Sequence, residues 1–436
     1  MRLDGSKVVV VGMARSGVAA VELLLEKGAK VRPVDQKVRH VPELSLAVEP
    51  QTDAAFRDAD LIVLSPGVPV DLGVINHARS RGIRVIGDLE LASWFLQGDH
   101  IGITGSNGKT TTTALTGHIL ASSGIPVQVG GNIGRPPASM IATSRPGQWN
   151  VLELSSFQLE TVETFRARIG AALNVTPDHL DRHYTIENYA DSKARLFVNQ
   201  RDGDAAVLNA DDPICRAYVS RGAAKPVWFS STETVSPGAW LYRDQIILDG
   251  EPLMRAAEVP LRGLHNIENT MAAAAIARLA GATPAQIRAA VATFPGVEHR
   301  LEFVRDLHGV SYYNDSKATN VDATLKALQA FSSGLWIILG GKDKNSDYTL
   351  LAPLLKEKSR AALLIGAAAG KIEAQLRGAV PLRMCGTLDV AVAAASAGAG
   401  PGDVVLLAPA CASFDQFDNF EHRGREFKRL VGELPN

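Results

Sequence analysis

Short apolar runs alternate with amphipathic stretches along the whole chain. The first apolar run, KVVVVGM (7–13), precedes an amphipathic stretch and a second apolar run that ends at Asp35. A strand, a helix and a strand in this order indicate a βαβ unit, whose parallel strands are buried on both faces. DLIVLSPGVP (60–69) and IRVIGD (83–88) repeat the alternation of strand and loop. The pattern predicts a Rossmann-like domain at the N-terminus.

The second part of the chain shows the same alternation around a glycine-rich loop. The apolar run HIGITG (100–105) precedes the loop, a helical stretch follows it, and PVQVGGN, WNVLELSS and IGAALNVTPDH supply further apolar runs. This order predicts a central, P-loop ATPase-like parallel sheet. Segment 225–248 is rich in β-branched and aromatic residues and predicts additional antiparallel strands, with a reversal at 243–245.

The alternation restarts after FPGVEHR (294–300), with apolar runs such as VSYYNDS, LWIILGGKD, AALLIG and DVVLLAPAC. This third block predicts a Rossmann-like C-terminal domain. The expected fold class is therefore α/β in three domains, with boundaries at 1–93, 94–297 and 298–436. A length of 436 residues agrees with this count, because one domain holds roughly 150 residues.

Composition narrows the function classes. Charged residues make up 21% and hydrophobic residues 46%, and the formal net charge is −1. No bulk field therefore favours nucleic acid or an anionic membrane, and any anion site is expected to be local. Cys215, Cys385 and Cys411 are far apart, which indicates neither a disulfide framework nor a zinc site. This use of cysteine fits a reducing cytoplasm. No apolar run reaches about 18 residues, so we expect no membrane helix.

The glycine-rich loop has the chemistry of a phosphate site. Glycines allow backbone N–H groups to point inward, Lys109 can reach the β and γ phosphates, and Thr110 can help hold Mg²⁺ at a helix start. The strict pattern GxxxxGK[ST] also requires a glycine at the position of Ile103, so the match is imperfect. A plain glycine turn beside a surface lysine is the alternative, but a strand before the loop and a helix after it favour nucleotide binding.

A second glycine-rich turn lies near the N-terminus. GMARSG (12–17) is followed by Asp35 at the end of the next apolar run. This arrangement is typical of dinucleotide-binding folds, although Ala14 occupies the position of the second glycine. Read alone, the turn is a weak signal for a dinucleotide site.

Several further motifs, taken together, resemble one family. GITGSNGKTTT resembles the nucleotide loop of the Mur ligases and the related folylpolyglutamate synthetases. The order and approximate spacing of the other motifs resemble the Mur ligases that join D-glutamate to UDP-N-acetylmuramoyl-L-alanine, a step of peptidoglycan precursor synthesis. These motifs cover essentially the whole chain: LELSSFQLE (152–160), LNVTPDHLDRH (173–183), HNIENTMAA (265–273), EHR (298–300), NDSKATN (314–320), LGGKDK (339–344) and PACASFDQFDNFEHRG (409–424).

The resemblance implies an ATP-dependent ligase that forms an acyl phosphate with the help of Mg²⁺. It implies that Lys193 is carbamylated by CO2 and so becomes an oxygen ligand, whereas an ordinary helix lysine is the alternative. The implied catalytic residues are Lys109, His179, Lys193 and Arg300. The implied metal ligands are Thr110, Glu153, His179 and Lys193. The implied ATP-binding residues are Gly105, Ser106, Asn107, Gly108, Lys109, Thr110, Thr111, Asn269, Arg300, Asp315 and Lys317.

The resemblance also implies where the other two substrates bind. UDP-sugar contacts are expected from Ser16, Asp35, Gln36, Ser65, Pro66, Gly67, Asn132 and His179. Gln36 departs from the threonine of one relative, which leaves the uracil contact open. D-Glutamate contacts are expected from Thr319, Lys344, Ser413 and Phe420. Lys342 competes for the role of Lys344, because GGKDK holds two lysines within three positions.

Three rival functions stay open at this point. A ligase of the same superfamily could act on another amino acid or on folate, GMARSG could serve an NAD-dependent oxidoreductase, and the nucleotide loop could belong to a regulatory ATP-binding module without catalysis. No stretch resembles the DNPR motif of ligases that add a diamino acid, which favours D-glutamate. We further expect a monomer.

Overall fold

The computed structural model describes residues 3–37 and 41–435, and the strands of this part form three sheets. The chain divides into two compact units. The first consists of Met1–Glu258 and Glu268–Phe294, and contains the first two sheets; the second consists of Val259–Ile267 and Pro295–Asn436, and contains the third. The α/β fold class is confirmed, and the boundaries 1–93, 94–297 and 298–436 stay predictions.

The first sheet is parallel throughout. Its order is Glu49–Pro50, Lys30–Asp35, Lys7–Val11, Leu61–Leu64 and Arg84–Gly87. The central strand is buried from Val8 to Val11, as its continuous apolar run requires. The helices are Arg15–Glu26, Asp53–Phe56, Gly73–Ser80 and Asp88–Ser93.

The second sheet has nine strands, of which the last ones along the chain are antiparallel. The order is Glu251–Arg255, Gln245–Leu248, Gly238–Tyr242, Lys225–Ser230, Ala205–Asn209, Ile169–Ala172, Asp99–Thr104, Trp149–Glu153 and Val127–Gly131. The reversal predicted at 243–245 is present, since Gly238–Tyr242 and Gln245–Leu248 pair antiparallel. The prediction is wrong for Lys225–Ser230, which pairs parallel with both neighbours because a connecting segment, not a tight turn, follows it.

Helices pack on the second sheet, and loops connect them to its strands. The α-helices are Lys109–Ser122, Ser156–Leu159, Leu180–His183, Ile186–Ala194, Pro213–Ala217, Leu264–Leu279 and Pro284–Ala292. Single 3-10 turns span Pro137–Thr143, Tyr218–Ser220 and Ala256–Glu258. Leu264–Leu279 begins in the second compact unit and continues in the first.

The third sheet is parallel except at one edge. Its order is Glu302–Leu307, Val310–Asn314, Val404–Leu407, Leu335–Gly340, Ser359–Ile365 and Leu382–Gly386. The antiparallel strand Glu302–Leu307 was not predicted, because it is only partly buried and its sequence EFVRDL mixes charged and apolar residues. The helices are Val321–Gln329, Ala352–Lys358, Ala369–Leu376, Leu388–Gly398 and Phe420–Gly432, with a 3-10 turn at Tyr348–Leu351.

Two consequences follow for function. Loops at the carboxyl ends of parallel strands, where open α/β sheets bind ligands, carry predicted site residues in each sheet, whereas Lys193 and Asn269 lie on helices. Within residues 3–37 and 41–435, no helix has both the length and the apolar character needed to cross a membrane.

Candidate functional site

The predicted phosphate loop lies between the strand Asp99–Thr104 and the helix Lys109–Ser122. Gly105 and Gly108 have φ of 154° and 84°, which favours glycine at both positions. A Cβ on Gly108 would lie 2.2 Å from the side-chain oxygen of Asn269. The structure therefore brings Asn269, predicted near adenine, against the phosphate loop.

Two lysines meet at this loop. The Lys109 ammonium donates to the carbonyl oxygens of Gly105 at 2.8 Å and of Ser106 at 2.9 Å. The Lys193 Nζ donates to the same Gly105 carbonyl at 2.8 Å, although the two residues are far apart in sequence. The two side chains therefore meet at one carbonyl of the predicted phosphate loop, where the Lys109 ammonium supplies the positive charge that the transfer of a phosphoryl group requires.

Burial sets the charge state of Lys193. Its side chain is 1% exposed, and Nζ lies 4.2 Å from the centre of the Tyr189 ring. Burial, and then the positive charge of Lys109, hold the pKa of Lys193 well below the value of a solvated lysine. Because a neutral amine is the form that reacts with CO2, this environment suits the predicted carbamylation. Tyr189 was not among the predicted residues, since only the fold brings it beside Lys193.

Glu153 ends the strand Trp149–Glu153 and is 1% exposed. Its Oε1 accepts a hydrogen bond from the Asn132 amide at 3.0 Å, which brings two predicted residues together. Its Oε2 has no hydrogen-bond partner among the described residues. Leaving a buried oxygen unpaired costs about 1–3 kcal/mol. A hard oxygen that is buried and available in this way fits a Mg²⁺ ligand.

His179 lies in the loop after the strand Ile169–Ala172 and has φ of 54°, in the left-handed region. Its backbone N–H donates to Asp178 Oδ1 at 2.9 Å, and its ring makes an edge contact with Phe157 at 4.9 Å between centroids. Asp178 was not predicted as a site residue, although it lies in the same motif. Its negative charge partly offsets the lowering of the Lys193 pKa.

The predicted UDP-sugar residues of the first sheet lie at its carboxyl edge. Asp35 accepts from the backbone N–H of Met13 at 2.7 Å and of Lys37 at 2.9 Å. The Ser65 hydroxyl donates to the Gly12 carbonyl at 2.6 Å, which brings the loop of Ser65, Pro66 and Gly67 against the glycine-rich turn that carries Ser16. Gln36 is exposed.

A cavity of about 440 Å³ lies beside this turn. Its lining is more apolar than polar in character and combines residues of the turn with Val41, Pro42, Pro136 and Ser139. An apolar wall with a few polar groups suits a planar base.

In the second unit, the predicted nucleotide residues include a deeply buried carboxylate. Asp315 is 2% exposed, and burial raises its pKa to about 6. The Arg300 guanidinium lies 3.8 Å from Asp315 Oδ1 and opposes this shift. Lys317 Nζ lies 5.3 Å from the centre of the Phe420 ring, so the structure brings a predicted phosphate residue beside a predicted D-glutamate residue.

The remaining predicted D-glutamate residues lie on three loops. Thr319 is partly buried, Ser413 is 2% exposed, and Lys342 and Lys344 are both exposed. The backbone of Lys342 exchanges hydrogen bonds with Ala412 at 2.8 and 3.2 Å, which joins the GGKDK loop to the loop of Ser413. The structure leaves the choice between the two lysines as a prediction.

Arg423 holds two of these loops and was missed by sequence reasoning. Its guanidinium is 1% exposed and donates to the Ser316 carbonyl at 2.7 Å, the Ser316 hydroxyl at 2.9 Å and the Cys411 carbonyl at 3.2 Å. Burial lowers its pKa to about 10. The motif EHRG contains this residue, but an arginine on the amphipathic helix Phe420–Gly432 is ordinarily assigned to solvent.

Asp343 holds the third loop. Its carboxylate accepts from the Lys371 ammonium and the Tyr348 hydroxyl, both at 2.8 Å, and from the Ser346 backbone at 3.1 Å. Hydrogen bonds from these groups lower the pKa of Asp343, although burial opposes this effect. No motif in the sequence predicted this arrangement, because Lys371 lies on the helix Ala369–Leu376 and not in the loop that carries Asp343.

Comparison with known proteins gives a consistent result. Three family models match: Mur ligase MurD-like, N-terminal domain at 6–87, Mur ligase middle domain at 103–277, and Mur ligase, glutamate ligase domain at 299–411. A UDP-N-acetylmuramoylalanine–D-glutamate ligase of Solibacter usitatus is 60% identical over 100% of this chain and 99% of its own. One of Acidobacterium capsulatum is 50% identical over 99% and 97%.

Solved structures agree with the fold. The UDP-N-acetylmuramate-alanine ligase MurC of Thermotoga maritima has a TM-score of 0.63 at 18% identity, and covers 98% of this chain and 100% of its own. The MurF ligase of the same organism, solved with ADP, has a TM-score of 0.64 at 17% identity over 99% and 96%.

Proposed function

Because the chain belongs to the Mur ligase family, we propose that it joins D-glutamate to UDP-N-acetylmuramoyl-L-alanine and converts ATP to ADP and phosphate. The product is a cytoplasmic precursor of peptidoglycan. The single observation that carries the substrate assignment is the 60% identity, over the full chain, to a relative named for this reaction. The buried side chains of Lys193 and Glu153, and the half-buried Lys109 that meets Lys193 at the Gly105 carbonyl, support the chemistry.

ATP binds with its phosphates on the loop of 105–110. The backbone of Gly105, Ser106, Asn107 and Gly108 faces the phosphates, and Lys109 exchanges its loop carbonyls for β and γ oxygens. Thr110 and Thr111 follow at the helix start. The Asn269 side chain, which contacts Gly108, faces the base. Asp315 accepts from the ribose hydroxyls, and Arg300 and Lys317 complete the phosphate contacts.

Thr110 and Glu153 would hold Mg²⁺ at one position, and His179 and the carbamate of Lys193 would hold it at a second. When bound, it neutralises charge on the transferring phosphoryl group. The unpaired Oε2 of Glu153 and the depressed pKa of Lys193 support these assignments. Carbamylation replaces a buried amine with an anionic oxygen donor, which hard cations prefer.

The reaction then proceeds in three steps. The L-alanyl carboxylate attacks the γ-phosphorus of ATP, the bond to the β–γ bridging oxygen breaks, and ADP leaves. Lys109 and Arg300 stabilise the negative charge that the two approaching anions concentrate. The amine of D-glutamate attacks the acyl phosphate, and the tetrahedral intermediate expels phosphate as the amine loses a proton.

Substrate positions follow from the strand-end loops. The UDP group is bound by Ser16, Asp35, Gln36 and the loop of Ser65, Pro66 and Gly67, with Asn132 and His179 directed at the sugar side. The base lies against the apolar cavity beside the glycine-rich turn. D-Glutamate is bound by Thr319, Lys344, Ser413 and Phe420, whose loops are held by Arg423 and Asp343. We further propose three domains at 1–93, 94–297 and 298–436, and a monomeric enzyme.

The test is ADP release in the presence of ATP, Mg²⁺ and UDP-N-acetylmuramoyl-L-alanine, with one amino acid added at a time. D-Glutamate should support turnover, whereas L-glutamate, L-lysine and other diamino acids should not. Dependence on another amino acid would assign the chain to a different ligase of the family. Nucleotide binding without turnover would indicate a regulatory ATP-binding module. Binding of NADH would instead support an NAD-dependent oxidoreductase.

A further inference from the structure

The backbone at His179 is strained and is held by the two residues that end the short helix after it. With φ of 54°, His179 adopts a conformation that side-chain-bearing residues rarely occupy. Its carbonyl accepts the backbone N–H groups of Arg182 and His183, both at 3.0 Å. Because strained conformations persist only where neighbours fix them, the anchoring of Arg182 and His183 determines where His179 points.

One carboxylate anchors both residues. Glu160 Oε2 lies 2.8 Å from the Arg182 guanidinium, and its Oε1 lies 3.1 Å from His183 Nδ1. The three side chains are only 11%, 12% and 2% exposed for Glu160, Arg182 and His183. An ion pair buried to this degree is weakly screened, and removing one partner is costly. The other His183 nitrogen lies 2.9 Å from the Ser156 hydroxyl, which fixes the ring at both ends.

Phe157 transmits this anchoring to the His179 ring. It stacks on His183 at 5.4 Å with an interplanar angle of 18°, and meets His179 edge-on at 4.9 Å. The Arg182 guanidinium lies 5.1 Å from the Phe157 ring centre. The imidazole of His179 therefore packs against the Phe157 ring, which Arg182 and His183 hold in place.

Arg182 also reaches the first sheet. The same Nη2 that pairs with Glu160 donates to the Val68 carbonyl at 2.9 Å. Val68 follows Ser65, Pro66 and Gly67, the loop that the proposed function assigns to the UDP-sugar. One carboxylate thus orients, through Arg182 and His183, both a metal-site histidine and a substrate loop.

We propose that Glu160 is a positioning residue for the metal site at His179 and for the UDP-sugar loop. The proposal rests on the proposed function for the identity of these ligands. Glu160 is not among the residues proposed to bind either ligand, and it acts through the two side chains it holds. Its loss should therefore weaken binding of the metal and of the UDP-sugar together, while D-glutamate, whose residues lie on the second unit, is unaffected.

The experiment uses the full-length Glu160→Gln variant, which keeps size and removes the charge. Mn²⁺ is titrated into the protein with a non-hydrolysable ATP analogue, and free Mn²⁺ is followed by electron paramagnetic resonance. We expect the apparent Kd of one of the two Mn²⁺ sites to rise about tenfold, because outer-shell partners are worth about 10–100-fold in metal affinity. In turnover, KM for UDP-N-acetylmuramoyl-L-alanine should rise and KM for D-glutamate should stay constant.

Glu163→Gln is the matched control. Glu163 lies three positions on and pairs with Arg84 at 2.5 Å, but its side chain is 40% exposed. This variant should keep wild-type Mn²⁺ binding. If Glu160→Gln does not fold, Arg182→Gln removes the Glu160–Arg182 ion pair together with the Val68 contact, and should raise both the Mn²⁺ Kd and the UDP-sugar KM.

Two results would overturn the proposal. One is a folded Glu160→Gln protein whose Mn²⁺ Kd and UDP-sugar KM stay within about twofold of wild type. The other is an equal rise in KM for D-glutamate, which would indicate general loosening. If the wild type shows no turnover with D-glutamate, the proposed function fails, whereas the Mn²⁺ titration still tests Glu160.

Discussion

The candidate residues of the two compact units are built in different ways. Around the phosphate loop, Lys193 and Glu153 are each 1% exposed and lie at the ends of regular elements. In the second unit, Lys344 is exposed on a loop whose conformation depends on Asp343. Burial therefore lowers the pKa of Lys193 in the first group, whereas loop anchoring sets the position of Lys344 in the second. Substitutions should reveal this difference as losses of turnover in the first and of substrate affinity in the second.

The largest effect is expected for Lys193→Ala. This change removes the proposed carbamate and leaves the second metal position without its anionic ligand, so turnover should fall by about 10²–10³-fold, as when one transition-state stabilising group is lost. The measurement is kcat with saturating substrates and ordinary Mg²⁺. A short carboxylic acid added to the assay should restore part of the activity, because it can supply the missing oxygens.

Lys225→Ala is the control for Lys193, since Lys225 is an exposed lysine at the start of a strand. Its turnover should match wild type. Normal turnover of Lys193→Ala at ordinary Mg²⁺ would contradict the carbamate and reduce the contrast between the two groups.

The same contrast explains which features of the site could be predicted from the sequence. Lys109, Glu153 and His179 follow apolar strands or a glycine loop, so their shared location at one sheet edge could be predicted from local pattern. The convergence of Lys109 and Lys193 on the Gly105 carbonyl could not, because it depends on packing between distant helices. In the second unit, the sequence could not decide between Lys342 and Lys344 for the D-glutamate contact, because contacts with distant residues also shape their loop.

That ambiguity has a physical origin. Arg423 and Lys371 come from helices far along the chain from the loops they hold, and neither has a local signature. The edge strand Glu302–Leu307 escaped prediction because its alternation is blurred by charged residues. Local pattern thus predicts where strands end, whereas long-range ion pairs decide how the loops beyond them are shaped.

The next largest effect separates the two loop lysines. Lys344→Ala should raise KM for D-glutamate by about 10–100-fold, because a hydrogen bond to a charged group is worth about 1.5–3 kcal/mol. Lys342→Ala, which changes a side chain of the same type and exposure, should leave that KM near wild type. Both are measured by ADP release at varied D-glutamate. The reverse result would assign the carboxylate contact to Lys342.

A smaller effect is expected from pH at Asp315. Burial raises its pKa to about 6, so the carboxylate proposed to accept the ribose hydroxyls is ionised above that pH and becomes protonated as the pH falls. KM for ATP should rise by up to about tenfold between about pH 7 and about pH 5. Asp315→Asn should have a raised KM at neutral pH and lose this dependence.

The sign of the stability change is opposite to that of a salt-bridged aspartate. Because the folded pKa exceeds that of a solvated carboxyl, the folded state binds the proton more tightly, and ionisation destabilises it. The free energy of unfolding contributed by Asp315 should therefore fall as pH rises from about 4 to about 6. Denaturant titrations of wild type and Asp315→Asn should differ in this window; parallel curves would exclude a raised pKa.

The smallest effect is expected for Asp343→Asn, which tests whether loop anchoring controls the second group. Asparagine keeps one acceptor oxygen, so the hydrogen bonds from Tyr348 or Ser346 can persist while the Lys371 ion pair is lost. This pair is partly exposed, with side chains 34% and 28% exposed, and such pairs are worth about 0–1 kcal/mol. KM for D-glutamate should accordingly rise only about two- to fivefold with kcat unchanged, because a less ordered loop presents Lys344 less often. Asp347→Asn, four residues on and exposed, is the control and should have no effect on KM. A loss of kcat in Asp343→Asn, without a change in KM, would mean that the second unit also acts on the chemical step and that the contrast between the two groups does not hold.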